Sequence, residues 1–394
     1  MHEFFAFPSF NKWSSPLLFL TIQGLIFAVL LFVRWYKKKR VSDLLLGLLL
    51  LILCYHRTTY TIGFMEWYDT FRNTKINYYL VPFGLATGPL LYLYVKSVTT
   101  SAFKFRRIDW WHFVPQILFT LFRIFMLAYD SMQPGFDSTQ NGIIMDGFNN
   151  QVMDVFYGTL SRIQMVLYLA FTVQLFYHYR KRILQYYSNS FKLELNWIRN
   201  FLAIYILLFV YSYFETMLGM TMFELHWTHR WWYHFFATLA IIYIGIKGYF
   251  TDTSKLLDLE FDSIAPQVEE VKTSDIDYSK DMTRIESYLE SEKVYLDPDL
   301  SLKSLSQNVN LTPGQLSEII NNGFGKNFND FINTFRVDAV KTHLKNGKNK
   351  ELSLVGIAMD SGFNSKATFN RVFKKLTSMS PSEFVNSIEK EQVS

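Results

Sequence analysis

The sequence predicts an all-α chain: a seven-helix transmembrane bundle followed by an α-helical domain with two helix-turn-helix units. Three observations lead there. Seven apolar segments of about twenty residues, the length that crosses a hydrocarbon core, follow one another up to Phe250. Basic residues concentrate in alternate loops between these segments. Beyond Thr251 the pattern changes to short amphipathic helices, and one stretch of it echoes another 52 residues later.

The apolar segments run over Pro16–Val33, Val41–Gly63, Tyr78–Val95, Trp110–Tyr129, Tyr157–Tyr177, Leu195–Leu218 and Trp231–Phe250. A single run of this kind also suits a buried core helix, but seven in succession do not. No basic flank or small-residue cleavage site precedes the first, so it reads as a retained helix and not as a signal peptide. In the third, Pro82, Gly84, Gly88 and Pro89 mark a kink or close packing. The one cysteine, Cys54, falls inside the second segment, so no intrachain disulfide is available.

Loop charge sets the orientation. One side carries Arg34, Lys37, Lys38, Lys39 and Arg40, then Lys96, Lys104, Arg106 and Arg107, then Arg180, Lys181, Arg182 and Lys192. The other side has only Lys12, Arg72, Lys75 and Arg230, and its longest loop holds Asp130, Asp137, Asp146 and Asp154 without a basic residue. The basic side is cytoplasmic. This predicts a multi-pass protein of the inner (cytoplasmic) membrane, N-terminus outside and C-terminal domain cytoplasmic. The net charge of +5 divides accordingly: residues 1–250 carry +10, residues 251–277 carry −6 and residues 278–394 carry +1. The acidic stretch 251–277, which includes Pro266, reads as a linker between domains 1–250 and 278–394.

Ionisable side chains at membrane depth cost free energy and need a reason. Arg57, Arg123, Arg162 and Glu215 all fall in the outer half of their segments, with His56 and Glu66 near the same level. Together they suggest an outward-facing pocket for an anionic or polar small molecule. The competing account is snorkelling to the interface with Arg–Glu pairs that hold the bundle. Glu224, His226, His229 and His234 are irregularly spaced among Trp227, Trp231, Trp232 and Tyr233, which suits an interfacial aromatic belt better than a metal site. Lys247 lies about one turn from the cytoplasmic end, where it reaches water. No metal or cofactor is expected.

From Tyr278 the helices shorten. One is expected over Ser279–Ser291, ending before Asp297-Pro298. Leu300-Ser301-Leu302 and Leu352-Ser353-Leu354 then open two matching stretches, about 300–322 and 352–376. Leu316, Ile319 and Ile320 correspond to Phe369, Val372 and Phe373 after a one-residue insertion. Asn310 and Gly362 stand at the turns, where a left-handed backbone is needed, and Ser306 and Ala358 are the small residues where paired helices would touch. Between the units, Phe328, Phe331, Ile332, Phe335 and Ala339 predict one longer helix to about Leu344.

The run Ile357-Ala358-Met359-Asp360-Ser361-Gly362-Phe363, followed by Phe369-Asn370-Arg371-Val372-Phe373-Lys374-Lys375 and Ser380-Pro381-Ser382-Glu383-Phe384, resembles the signature of AraC-type regulators. The resemblance spans about 110 of the 394 residues. It implies a seven-helix domain with two recognition helices in successive major grooves of double-stranded DNA. By position, Ser365, Lys366, Ala367, Asn370 and Arg371 would face DNA, with Lys374 and Lys375 on phosphates. In the first unit, Pro313, Gly314, Gln315, Ser317 and Glu318 would do so. This chain departs from the common pattern at Glu318, often a basic residue, and at Ser378, often glycine.

The resulting expectation is a membrane-bound, sequence-specific transcription regulator that couples a signal sensed in or outside the membrane to promoter binding. Its expected partners are DNA, the lipid bilayer, an unidentified small-molecule or membrane signal and a second copy of itself. The alternative is a membrane transporter or receptor whose terminal domain tethers or binds other proteins. No phosphate loop, kinase-type nucleotide site or nucleophile–base spacing is recognisable, so an enzyme is not expected.

Overall fold

The computed structural model describes residues 9–66, 79–100, 103–136, 141–189, 193–221, 230–251 and 277–393. Among them are fourteen α-helices and no strand. The chain divides into two compact units. The first comprises Met1–Phe176 with Asn196–Glu260, and the second comprises Tyr177–Leu195 with Phe261–Ser394. The linker expected at 251–277 lies almost wholly outside the described residues, as do Arg72, Lys75, Asp137, Lys192, Glu224, His226 and His229.

A helix occupies each of the seven apolar segments: α1 (Ser14–Lys38), α2 (Val41–Phe64), α3 (Gly84–Thr99), α4 (Val114–Ser131), α5 (Asp154–Tyr186), α6 (Asn196–Thr221) and α7 (Arg230–Phe250). Only five described helices are long and apolar enough to cross a membrane, where the sequence suggested seven. These are α1, α2, α4 with its 3-10 entry from Arg107, α5 with its π-helical entry from Met145, and α6. The two exceptions have physical causes. Pro82 keeps the chain out of the helix until Gly84, so α3 has 16 residues, about 24 Å against the ~30 Å of a hydrocarbon core. Helix α7 has 21 residues, but Arg230, the aromatic and histidine residues Trp231 to His234, and Lys247 make its ends too polar.

Within the first unit, α1, α2 and α7 approach closely through glycine. A Cβ on Gly24 would lie 2.6 Å from Cys54 Sγ and 2.8 Å from Ile241, and one on Gly245 would lie 2.8 Å from Phe27. Small residues of this kind allow helix backbones to pack without a hydrophobic driving force. Arg34 at the end of α1 joins the same helices: it pairs with Asp43 of α2 at 2.5 Å and donates to the carbonyls of Gly248 (3.1 Å) and Tyr249 of α7. Large apolar side chains such as Phe19, Leu118, Leu121, Val155, Leu207 and Phe214 remain exposed, far more than a water-soluble surface carries.

The second unit holds α8 (Ser279–Glu292), α9 (Leu302–Asn308), α10 (Pro313–Glu318), α11 (Phe328–Lys345), α12 (Leu354–Asp360), α13 (Lys366–Thr377) and α14 (Pro381–Val393). It has two cores. One gathers Ile285, Leu289, Leu302, Leu305, Leu316, Ile320 and Phe331. The other gathers Val340, Ile357, Phe363, Phe369, Val372 and Phe373. Helix α11 contributes to both, with Phe328 to Ile332 in the first and Val337 to Leu344 in the second. It is thus the beam that fixes one helix-turn-helix relative to the other.

Candidate nucleic-acid interface

Both helix-turn-helix units are built by the same local chemistry. Ser301 caps α9 by accepting from the Ser304 amide (3.2 Å), and Ser353 caps α12 by accepting from the Gly356 amide (3.1 Å). Each first helix then ends in a left-handed residue, Asn310 at φ 51° and Gly362 at φ 89°. The turn closes with one recurring bond, Leu311 N–H to Ser306 C=O (2.9 Å) and Phe363 N–H to Ala358 C=O (3.1 Å). Ser306 and Ala358 are fully buried at the crossing. Thr312 and Ser365 cap the second helices, accepting from the amides of Gln315 (3.3 Å) and Thr368 (3.2 Å). Side-chain caps of this sort satisfy the amide donors that a helix start leaves unpaired.

Gly362 is required for more than its dihedral angle. A Cβ there would sit 2.4 Å from the Tyr295 carbonyl oxygen and 2.8 Å from Arg336 Nε. Ser378, where the family pattern favours glycine, adopts φ 62° and closes α13 by donating its amide to Lys374 (2.9 Å).

The second recognition helix, α13, buries Thr368, Phe369, Val372 and Phe373 and exposes Lys366, Ala367, Asn370, Arg371, Lys374 and Lys375. The exposed positions recur in pairs at helical spacing, forming a stripe roughly 13 Å long. Ser365 is half-buried and occupied as the cap. Two cations of the stripe already face carboxylates: Lys375 Nζ lies 2.8 Å from Asp330, and Arg371 Nη2 lies 3.6 Å from Glu194.

The first recognition helix, α10, is shorter and its polar side chains are engaged. Gln315 Oε1 accepts from the Thr312 amide (3.0 Å) and hydroxyl (2.9 Å), Ser317 Oγ accepts from Asn321 (3.2 Å), and Glu318 accepts from the Tyr278 hydroxyl (2.8 Å). That last bond raises the Tyr278 hydroxyl above its usual range. Pro313 is half-buried and Gly314 exposed.

One part of the second unit was not expected from the sequence. The segment Tyr177–Leu195, which holds the end of α5 and the loop after it, is built into the unit. Tyr186 packs against the first core, and Tyr187 pairs with Ser301 in a single antiparallel bridge. The Ser188 amide (3.2 Å) and hydroxyl (2.6 Å) both donate to the Leu300 carbonyl. Asn329 Nδ2 donates to the carbonyls of Tyr187 (3.1 Å) and Ser188 (2.8 Å). Arg336 completes the junction. Its guanidinium donates to Tyr295 O (2.7 Å), Asp297 O (2.7 Å), Ser188 O (3.2 Å) and Ser188 Oγ (3.0 Å) while only 1% exposed. Burial pulls Arg336 down to about 10, opposed by the charges of Asp297 and Asp299, so it stays protonated near neutral pH. Glu194, also buried, takes a bond from Arg180 (2.9 Å) besides facing Arg371.

Of the four residues suggested for an outward-facing pocket, Arg57 and Arg162 line one cavity of the first unit. Arg123 and Glu215 are not in its lining. Arg123 donates to Leu80 O (2.9 Å) and faces Asp154 at 3.7 Å, and Glu215 faces Arg230 at 3.8 Å.

A family model described as "Helix-turn-helix domain" matches residues 305–387. Uncharacterized HTH-type transcriptional regulators of Staphylococcus aureus strains COL and MSSA476 are 32% identical over 92 residues. The match covers 23% of this chain, and the chain spans 12% of the length of these relatives. No solved structure matches significantly.

Proposed function

We propose, from the premise that the C-terminal region is an AraC-type helix-turn-helix domain, that the chain is a membrane-bound, sequence-specific DNA-binding transcription regulator. The exposed stripe of α13 carries this reading. In it Asn370 and Arg371 read base edges, adenine and guanine being the natural partners of asparagine and arginine. Lys366, Lys374 and Lys375 hold phosphates and set register. Helix α10 docks mainly on the backbone, because Gln315, Ser317 and Glu318 spend their hydrogen-bonding groups inside the domain.

The first 250 residues form the membrane part in this reading, with seven crossings. The five long apolar helices and the exposed apolar side chains of the first unit support it. Helices α3 and α7 cross with help from neighbours, α3 by local thinning of the bilayer and α7 with its aromatic start at the interface. The loop charges orient the N-terminus outside and the C-terminal domain in the cytoplasm. A reporter enzyme fused after Ser394 is expected to be active only in its cytoplasmic form. Activity of a periplasm-dependent reporter at that position would overturn the proposal.

The docked segment gives the membrane part a route to DNA. Helix α5 is one of the five apolar helices; its last residue, Tyr186, packs against the first core, and the loop after it is hydrogen-bonded into the DNA-binding unit. Glu194 of that loop neutralises Arg371, so the docked state withholds the principal base-reading residue. A signal that shifts the end of α5 withdraws Glu194 and frees Arg371. Arg371 is half exposed, so the contact is worth only about 1 kcal/mol. Glu194→Gln is therefore expected to tighten binding to a target promoter about fivefold, read by titration of the full chain in nanodiscs. Unchanged or weakened binding would exclude this latch.

A further inference from the structure

We infer that the cavity of the first unit is a binding site for a small amphiphilic carboxylate, a single acyl chain with an anionic head. The cavity has a volume of about 220 Å³ and is lined by residues of α2, α3, α5, α6 and α7. This lies below the ~300–1,000 Å³ typical of drug-sized ligands, so its occupant is small.

The charges at the cavity are unbalanced. Arg34, Arg123 and Arg230 each face a carboxylate within 4 Å. Among the described residues, Arg57 and Arg162 do not. Arg57 Nη1 donates to His234 Nδ1 at 2.6 Å, an acceptor that must be uncharged, and its guanidinium lies 5.1 Å over the Tyr233 ring. Arg162 forms no hydrogen bond or ion pair among the described residues. Arg57, half-buried on an apolar helix, carries a desolvation cost that a bound anion removes, and Arg162, which lines the same cavity, adds a second positive charge. His56 adds a third group: its Nε2 accepts from the Phe83 amide (3.1 Å), which leaves Nδ1 as an N–H donor.

The rest of the lining specifies the remainder of the ligand. From Tyr233, beside Arg57, the wall runs along α7 through Ala240 to Ile244, about 16 Å of helix, and Met165 and Leu208 add to the apolar lining. A charged head therefore fits at the arginines and an apolar tail along Ala240 and Ile244. Neither a fully hydrated ion nor a neutral hydrocarbon satisfies both ends.

The consequence for promoter binding rests on the regulator reading above, but binding itself is measured without DNA, so either can fail alone. The probe is decanoate, added to the full chain in a nonionic detergent, with decanol and decyltrimethylammonium as controls. The readouts are the thermal unfolding midpoint and equilibrium dialysis of radiolabelled decanoate. Saturable one-to-one binding and a raised midpoint are expected with decanoate and not with either control. Arg162→Gln changes an exposed side chain with no hydrogen bond or ion pair among the described residues and so preserves the fold; it is expected to weaken decanoate binding at least tenfold. Ala240→Leu fills the tail end, leaves both arginines intact and is expected to do the same. Binding of decanol as tight as that of decanoate would overturn the proposal. So would decanoate binding that survives both substitutions.

Discussion

Arg336→Ala is expected to destabilise the C-terminal unit by about 3–5 kcal/mol. The substitution strips donors from three carbonyls, Tyr295, Asp297 and Ser188, and from the Ser188 hydroxyl, at a position that is 1% exposed. Hydrogen bonds to a charged group contribute ~1.5–3 kcal/mol each, and Ser188 O and Asp297 O keep a second donor in Asn329 Nδ2 and the Leu300 amide, so only part of that sum is lost. Domains of this size have a total stability of ~5–15 kcal/mol, so the variant loses a large share of it. Thermal unfolding of the full chain in detergent should show the midpoint of the C-terminal unit fall by on the order of 15 °C. A fall of less than about 3 °C, still on this scale, would mean that the guanidinium's bonds do not hold this junction together. Arg336→Lys is expected to lie close to alanine, because an ammonium cannot span four acceptors arranged around a planar fork.

The second large effect is at the proposed DNA surface. Arg371→Ala is expected to weaken specific promoter binding by ~1–3 kcal/mol, roughly 5- to 150-fold, and to relax sequence preference at one base pair. The side chain is exposed and, among the described residues, pairs with Glu194, so the domain should unfold at the wild-type midpoint. This separates it from Arg336→Ala, which loses DNA binding by losing the fold. Lys374→Ala, on the same stripe, should instead weaken binding evenly across sequences and make the dependence of log Kd on log salt shallower by about one. Electrophoretic titrations against the target promoter and a scrambled duplex, at two salt concentrations, distinguish the three behaviours.

The helix-turn-helix units were legible because the sequence states them twice. Asn310 and Gly362, Ser306 and Ala358, and the apolar triplets at Leu316 and Phe369 each hold matching places in the structure. What stayed hidden was polar and buried. On α11, Asn329, Asn333 and Arg336 lie on the same inward face as Ile332 and Val340. Apolar periodicity assigns such residues to solvent, since it assumes that polarity points outward. Their partners, Ser188 and the Tyr295–Asp297 turn, are distant in sequence, and no local pattern announces a pairing of Ser188 with Arg336 or of Glu194 with Arg371.

The first unit was legible as apolar length but less so as continuous helix. Pro82 delays α3, and the polar ends of α7 weaken a segment that composition alone had included. The pocket residues sort by their neighbours. Arg123 and Glu215 share a depth with Arg57 and Arg162, but Asp154 and Arg230 already face them. Depth along a helix is readable from sequence, whereas azimuth and partner are set by packing between helices.

The central claim, that a chain anchored in the membrane reads promoters through α13, is tested most directly by genome-wide crosslinking of the tagged full-length protein to DNA, recovered from the membrane fraction, with Arg371→Ala as control. The account predicts discrete sites that share a sequence motif and disappear in the variant while the protein remains in the membrane. Crosslinking that is uniform along the chromosome, or a set of sites unchanged in the variant, would contradict it.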